Sequence, residues 1–177
     1  MNLIHHLPVL LIILPLSASL LSPILSKLWK QLGRILVIAS LAASFLCAIG
    51  LLCQVLSASS GQIHYYMGNW EPPLGIEFVI DPLNALLVLF ITFIALCTSV
   101  YCGNFLLNKR WIQTGGFFTL IGLLTVGLCG MTLTGDVFNL YVFLEVASIS
   151  CYGLVALGGG KSILAAFRYL LVGTVGA

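Results

Sequence analysis

Apolar residues along this chain gather into long runs, several of which reach or exceed the ~18 residues that read as a transmembrane helix. The runs cover about residues 7–25, 35–56, 82–106, 114–133, 137–157 and 163–177. Pro8, Pro15 and Pro23 fall in the first, where kinks are tolerated if neighbouring groups satisfy the freed carbonyls. The pattern predicts an all-α integral membrane helical bundle of five to six spans, forming a single membrane domain over residues 1–177.

Between the second and third runs the pattern changes. "IHYYMGNW" and "GIEFVI" carry aromatic and β-branched residues on either side of "EPPL", a proline-rich turn. A short hairpin at the outer face is expected there, as a lid or a binding loop. Tyr65, Tyr66 and Trp70 suit a membrane–water interface.

Charge adds orientation. Only 7% of residues are charged against 60% hydrophobic, too little charge to clothe a soluble domain of this size. The loops alternate: basic (Lys27, Lys30, Arg34), acidic (Glu71, Glu77, Asp81), basic (Lys109, Arg110), acidic (Asp136), basic (Lys161). The positive-inside rule places the basic loops in the cytoplasm and the N-terminus outside. His5 and His6 precede the first apolar run and the lysines follow it, an order that suits a retained helix rather than a cleaved signal peptide. The basic residues form no cluster that would hold nucleic acid; the expected surroundings are the lipid bilayer and other membrane subunits. The last run is about 22 Å of helix, short of the ~30 Å hydrocarbon core. The expectation is a fragment, or a piece of a bundle completed by another polypeptide.

Candidate chemistry is sparse. Cys47, Cys53, Cys97, Cys102, Cys129 and Cys151 all lie inside apolar runs, none in a C-x-x-C, and read as packing residues. His5-His6 and His64 read as interfacial rather than metal-ligating, and no cofactor or metal is expected. "GGGKS" resembles the tail of a phosphate-binding loop, but the position that requires the leading glycine is Val155, so a flexible turn is the better reading. No catalytic constellation for redox or hydrolysis is present.

Glu145 is different. It lies about 12 Å below the outer end of the fifth span, near the bilayer midplane, where ionised groups cost a few kcal/mol and are functional by default. Tyr141, Glu145, Ser148 and Tyr152 follow i, i+4, i+7, i+11 spacing and form one polar stripe. Arg168, on the next span, sits about 9 Å lower along the membrane normal. A water-bridged reach toward Glu145 and snorkelling to the inner headgroups are both open to it. The stripe points to an ion or proton site at Glu145. The alternative is a structural subunit in which Glu145 makes a static interhelical contact.

Two stretches, "GNWEPPLGIEFVIDPLNALL" and "TGDVFNLYVFLEVASISCYGL", together with "AFRYLLVGTVGA", resemble the N-terminal part of proton-conducting antiporter-like membrane subunits. These occur in Mrp-type cation/proton antiporters, membrane-bound hydrogenases and respiratory complex I; "GDVFNLYVFLE" resembles above all the D-type Mrp subunit and its hydrogenase-associated relatives. The resemblance implies about fourteen spans, of which this chain carries roughly the first third. It also implies that Glu145 is the fifth-helix acid, which pairs with a lysine on a seventh helix. That helix has no counterpart here, so the resemblance implies either a partner chain supplying it or a truncated or remnant subunit, in a prokaryotic cell membrane.

Overall fold

The computed structural model describes residues 6–58, 61–70, 75–105 and 111–176, which form six α-helices, one short 3-10 turn (Met67–Asn69) and one two-stranded sheet. The helices are α1 (Leu7–Leu28), α2 (Lys30–Ser57), α3 (Pro82–Phe105), α4 (Trp111–Leu133), α5 (Val137–Ala156) and α6 (Lys161–Gly176); the strands are β1 (Ile63–Tyr66) and β2 (Glu77–Ile80). Five of the helices, α1 to α5, are long and apolar enough to cross a membrane. Glu71, the "EPPL" turn, Lys109, Arg110 and His5 lie outside the described residues.

The reading of Lys27, Lys30 and Arg34 as a loop is corrected. Both flanking helices run on through the charged positions, and Trp29 alone is extended between them, at φ −141° and ψ 116°. Apolarity ends where the membrane ends; Lys, Gln, Leu and Arg are good helix formers, so the backbone continues. α1 is also continuous through Pro15 and Pro23. Each proline removes an N–H from the helix ladder. The Ser19 hydroxyl, 2.6 Å from the Pro15 carbonyl, donates to it inside the bundle.

Helix starts follow local chemistry. Asp81 precedes Pro82, a capping acid followed by proline at the first helical position, and its carboxylate accepts from Asn84 N at 2.6 Å. Between α5 and α6 the chain reverses on Gly159 (φ 70°) and Gly160 (φ 52°), where any larger residue would be strained.

α1, α2, α3 and α4 pack around two apolar layers. One, toward the hairpin end, contains Leu11, Leu51, Val55, Val88, Val126 and Leu133; the other, toward the opposite basic end, contains Val37, Leu41, Phe118 and Ile121. α5 packs on α4, and α6 packs on α5.

The hairpin is antiparallel, with Tyr65 opposite Phe78 and Tyr66 opposite Glu77. Alternation buries Tyr65, Phe78 and Ile80 against the first layer and turns His64 and Glu77 outward, where His64 Nδ1 lies 2.5 Å from Glu77 Oε1. On its other side β2 reaches the α4–α5 corner. Phe78 bridges Thr134, and Gly135 N donates to the Glu77 carbonyl at 2.9 Å. His6 Nδ1 and the Tyr65 hydroxyl, 2.9 Å apart, tie the start of α1 to the same hairpin. The hairpin therefore covers one end of the bundle as a lid.

Candidate functional site

The α4–α5 corner fixes α5 at its first residue. Asp136 caps the helix: its carboxylate accepts from Phe138 N at 3.3 Å and Asn139 N at 3.2 Å. Thr134 Oγ1 accepts from Asp136 N at 3.2 Å and from Asn139 Nδ2 at 3.1 Å, which gives the nitrogen of the buried Asn139 amide a partner. The signal for this network was present in "TGDVFN": a threonine and a capping acid ahead of an apolar helix, with a polar residue three positions after the cap.

Small residues then fix which way α5 faces. The Phe143 ring and the Ala147 backbone lie so close to Gly130 and Gly127 of α4 that a β-carbon on either glycine would collide with them. Asn139, Phe143, Ala147 and Ser150 thus form the α4 side of α5. At 100° per residue, Tyr141, Glu145, Ser148 and Tyr152 fall roughly opposite that side. Tyr141 is exposed, and Glu145 and Ser148 are half-buried. No hydrogen bond or ion pair joins Glu145 to another of the described residues. Only 17% of the most apolar stretch of α5 is buried, against 28–44% for the other four spans.

Tyr152 is the member of the stripe that meets protein. Its ring packs edge-on against Tyr169 of α6, with centroids 4.8 Å apart at 80°. Its hydroxyl presses on the backbone of Gly173, where a β-carbon would clash. Phenol hydroxyls on a helix point back toward its N-terminus. The Tyr152 hydroxyl is therefore carried toward the level of Glu145.

Arg168 takes the other direction. Ala166 is the buried residue of α6, and Arg168, two positions on, is turned about 160° from it, away from α5. It is exposed, about 6 Å nearer the basic end than Glu145, and makes no ion pair with it. The structure brings Tyr141, Glu145, Ser148 and Tyr152 onto one face and leaves Arg168 off it. The glycines at 127, 130 and 173 that set this arrangement carried no signal in an apolar sequence where glycine is common.

No family model matches the chain. Over 172 residues it is 41% identical to NADH-quinone oxidoreductase subunit N of Desulforudis audaxviator, covering 97% of this chain and 34% of the relative. Over 176 residues it is 35% identical to the D-type subunit of a probable K+/H+ antiporter of Rhizobium meliloti, covering 96% of this chain and 31% of the relative. Among solved structures, a chain of the membrane-bound sulfane sulfur reductase, an archaeal respiratory membrane complex, superposes with a TM-score of 0.85 at 32% identity, covering 96% of this chain and 34% of that one. A chain of the Mrp complex from Dietzia sp. DQ12-45-1b gives 0.74 at 25% identity, covering 99% and 32%. The chain spans about a third of the length of the curated relatives it matches. Over that length the chain is homologous by sequence to NADH-quinone oxidoreductase subunit N and to cation/proton antiporter D subunits, and similar in fold to chains of the two membrane complexes.

Proposed function

We propose that this chain acts in a multisubunit ion-translocating complex of a prokaryotic cell membrane, and that Glu145 carries protons within it. The observation that supports this most is the placement of Glu145. The acid stands mid-span on α5, on the face turned from α4, without a protein partner among the described residues. A carboxyl group left there by accident would cost a few kcal/mol. The reading has further polypeptide, the remaining two thirds that the relatives possess, seated against the α5 stripe. The orientation is that of the charge pattern: N-terminus and hairpin outside, basic end cytoplasmic.

The chemistry follows from the setting of a carboxyl group. Low dielectric favours the neutral acid, and a nearby cation favours the carboxylate. A cation that approaches and withdraws converts one into the other, and each tenfold change in proton affinity requires only about 1.4 kcal/mol. Tyr141, Ser148 and the Tyr152 hydroxyl offer donors and acceptors that order water beside the acid. On this reading the cation comes from the added polypeptide, because Arg168 faces away.

The test is Glu145→Gln in the assembled complex, which keeps the shape and removes the titration. In inverted membrane vesicles, proton translocation or cation/proton antiport is expected to fall at least tenfold, while Glu145→Asp retains part of it. A purely structural role for Glu145 predicts wild-type rates for the Gln variant with assembly unchanged.

A further inference from the structure

Tyr152 of α5 and Gly173 of α6 fit each other closely. A β-carbon on Gly173 would overlap the Tyr152 hydroxyl and press on the ring, and its three nearest atoms all belong to Tyr152. Tyr169 meets the same ring edge-on, with centroids 4.8 Å apart. Ala166, Tyr169 and Gly173 follow i, i+3, i+7 spacing, so one face of α6 carries the buried alanine, the ring contact and the notch. Gly176, the other glycine of α6, has no such neighbour: a β-carbon there meets nothing within 4 Å.

The notch stands at the height of the acid. Gly173 is about 18 Å along α6 from Lys161, and Glu145 is about 17 Å along α5 from Ala156, on helices that run back to back from one short turn. Tyr152 starts about 10 Å below Glu145 on the same face of α5. Its side chain leans back toward the start of the helix and closes much of that distance before the hydroxyl reaches Gly173.

We propose that Gly173 is a positioning residue for proton transfer at Glu145: its notch holds the Tyr152 hydroxyl at the height of the acid, where the hydroxyl orients the water that exchanges a proton with the carboxyl group. This rests on the role proposed for Glu145 and extends it to α6. The phenol keeps its own proton; the water takes the proton from the carboxyl group and passes it on. Such a transfer needs oxygens about 2.5–3.0 Å apart. A displacement of about 1 Å slows a positioned reaction severely. A methyl group at position 173 takes the place of the hydroxyl, so the ring must turn out of the notch.

The test uses the assembled complex in inverted membrane vesicles, reading the maximal translocation rate per assembled complex. Gly173→Ala and Tyr152→Phe should each slow it about tenfold with assembly intact. The double variant should be no slower than Tyr152→Phe alone, because the methyl group acts only through the hydroxyl. Gly176→Ala should run at the wild-type rate. In infrared difference spectra the carboxyl band that changes with turnover should move to higher frequency in both Gly173→Ala and Tyr152→Phe, as the oriented water is lost. A wild-type rate in Gly173→Ala overturns the proposal, as do losses that multiply in the double variant, an unmoved carboxyl band, or an equal loss in Gly176→Ala. Failure of the Gly173→Ala complex to assemble overturns it too, since the notch is then structural. Glu145→Gln separates this proposal from the role beneath it. If that change stops translocation while Gly173→Ala does not slow it, only the positioning role falls; if Glu145→Gln leaves the rate intact, both fall.

Discussion

The Phe143 ring of α5 lies directly on the backbone of Gly130 in α4, with no room for a β-carbon between them. This contact sets the rotation of α5 and, two residues on, turns Glu145 away from the bundle core. Substituting Gly130 by Val should force the helices apart. Overpacking of this kind costs about 1–3 kcal/mol. The expected outcome is a lowered unfolding midpoint in detergent, with α5 still helical by circular dichroism.

The cap of α5 is a second, separable device. Asp136→Ala should cost about 1 kcal/mol, whereas Asp136→Asn or Asp136→Ser, which also cap, should cost a few tenths. Hydrogen exchange at the Phe138 and Asn139 amides reads this directly: both should exchange faster in the Ala variant and near the wild-type rate in the other two.

Much of the architecture was legible in the sequence, for a physical reason. Lipid demands long apolar runs with internally satisfied backbones, so hydropathy located the spans, and the departure from it at "IHYYMGNW" and "GIEFVI" located the hairpin. The helix ends were less legible. Hydropathy stops at Lys27 and resumes at Ile35, while helix propensity crosses that gap and leaves only Trp29 outside. The i, i+4, i+7, i+11 spacing of the stripe could be read because polar residues are rare on α5. Its direction could not, because in a membrane both the buried and the exposed faces are apolar. Notches such as those at Gly127, Gly130 and Gly173 reveal which side meets protein, and these require the neighbouring helix.

The hairpin predicts a contrast between two of its residues. Phe78 is 1% exposed and wedged among the first apolar layer, so Phe78→Ala should cost about 3–5 kcal/mol. His64 is 47% exposed and pairs with Glu77 at the surface. His64→Ala should cost less than about 1 kcal/mol. Thermal unfolding of the two variants side by side should separate them clearly.

Accessibility distinguishes the two sides of α5. In a cysteine-free background of the assembled complex, Ser148→Cys should react with a hydrophilic maleimide roughly tenfold faster than Ala147→Cys, because thiols react as thiolates and thiolates need water. Equal protection of both positions would mean that no wet route reaches the stripe.

Infrared difference spectroscopy of the working complex tests the central claim most directly. If Glu145 loads and releases a proton in each cycle, a carboxyl C=O band should appear and vanish with turnover, shift on deuteration, and be missing in the Glu145→Gln variant. A carboxyl region that stays silent during turnover, or a changing band that persists unaltered in the Gln variant, would contradict the account.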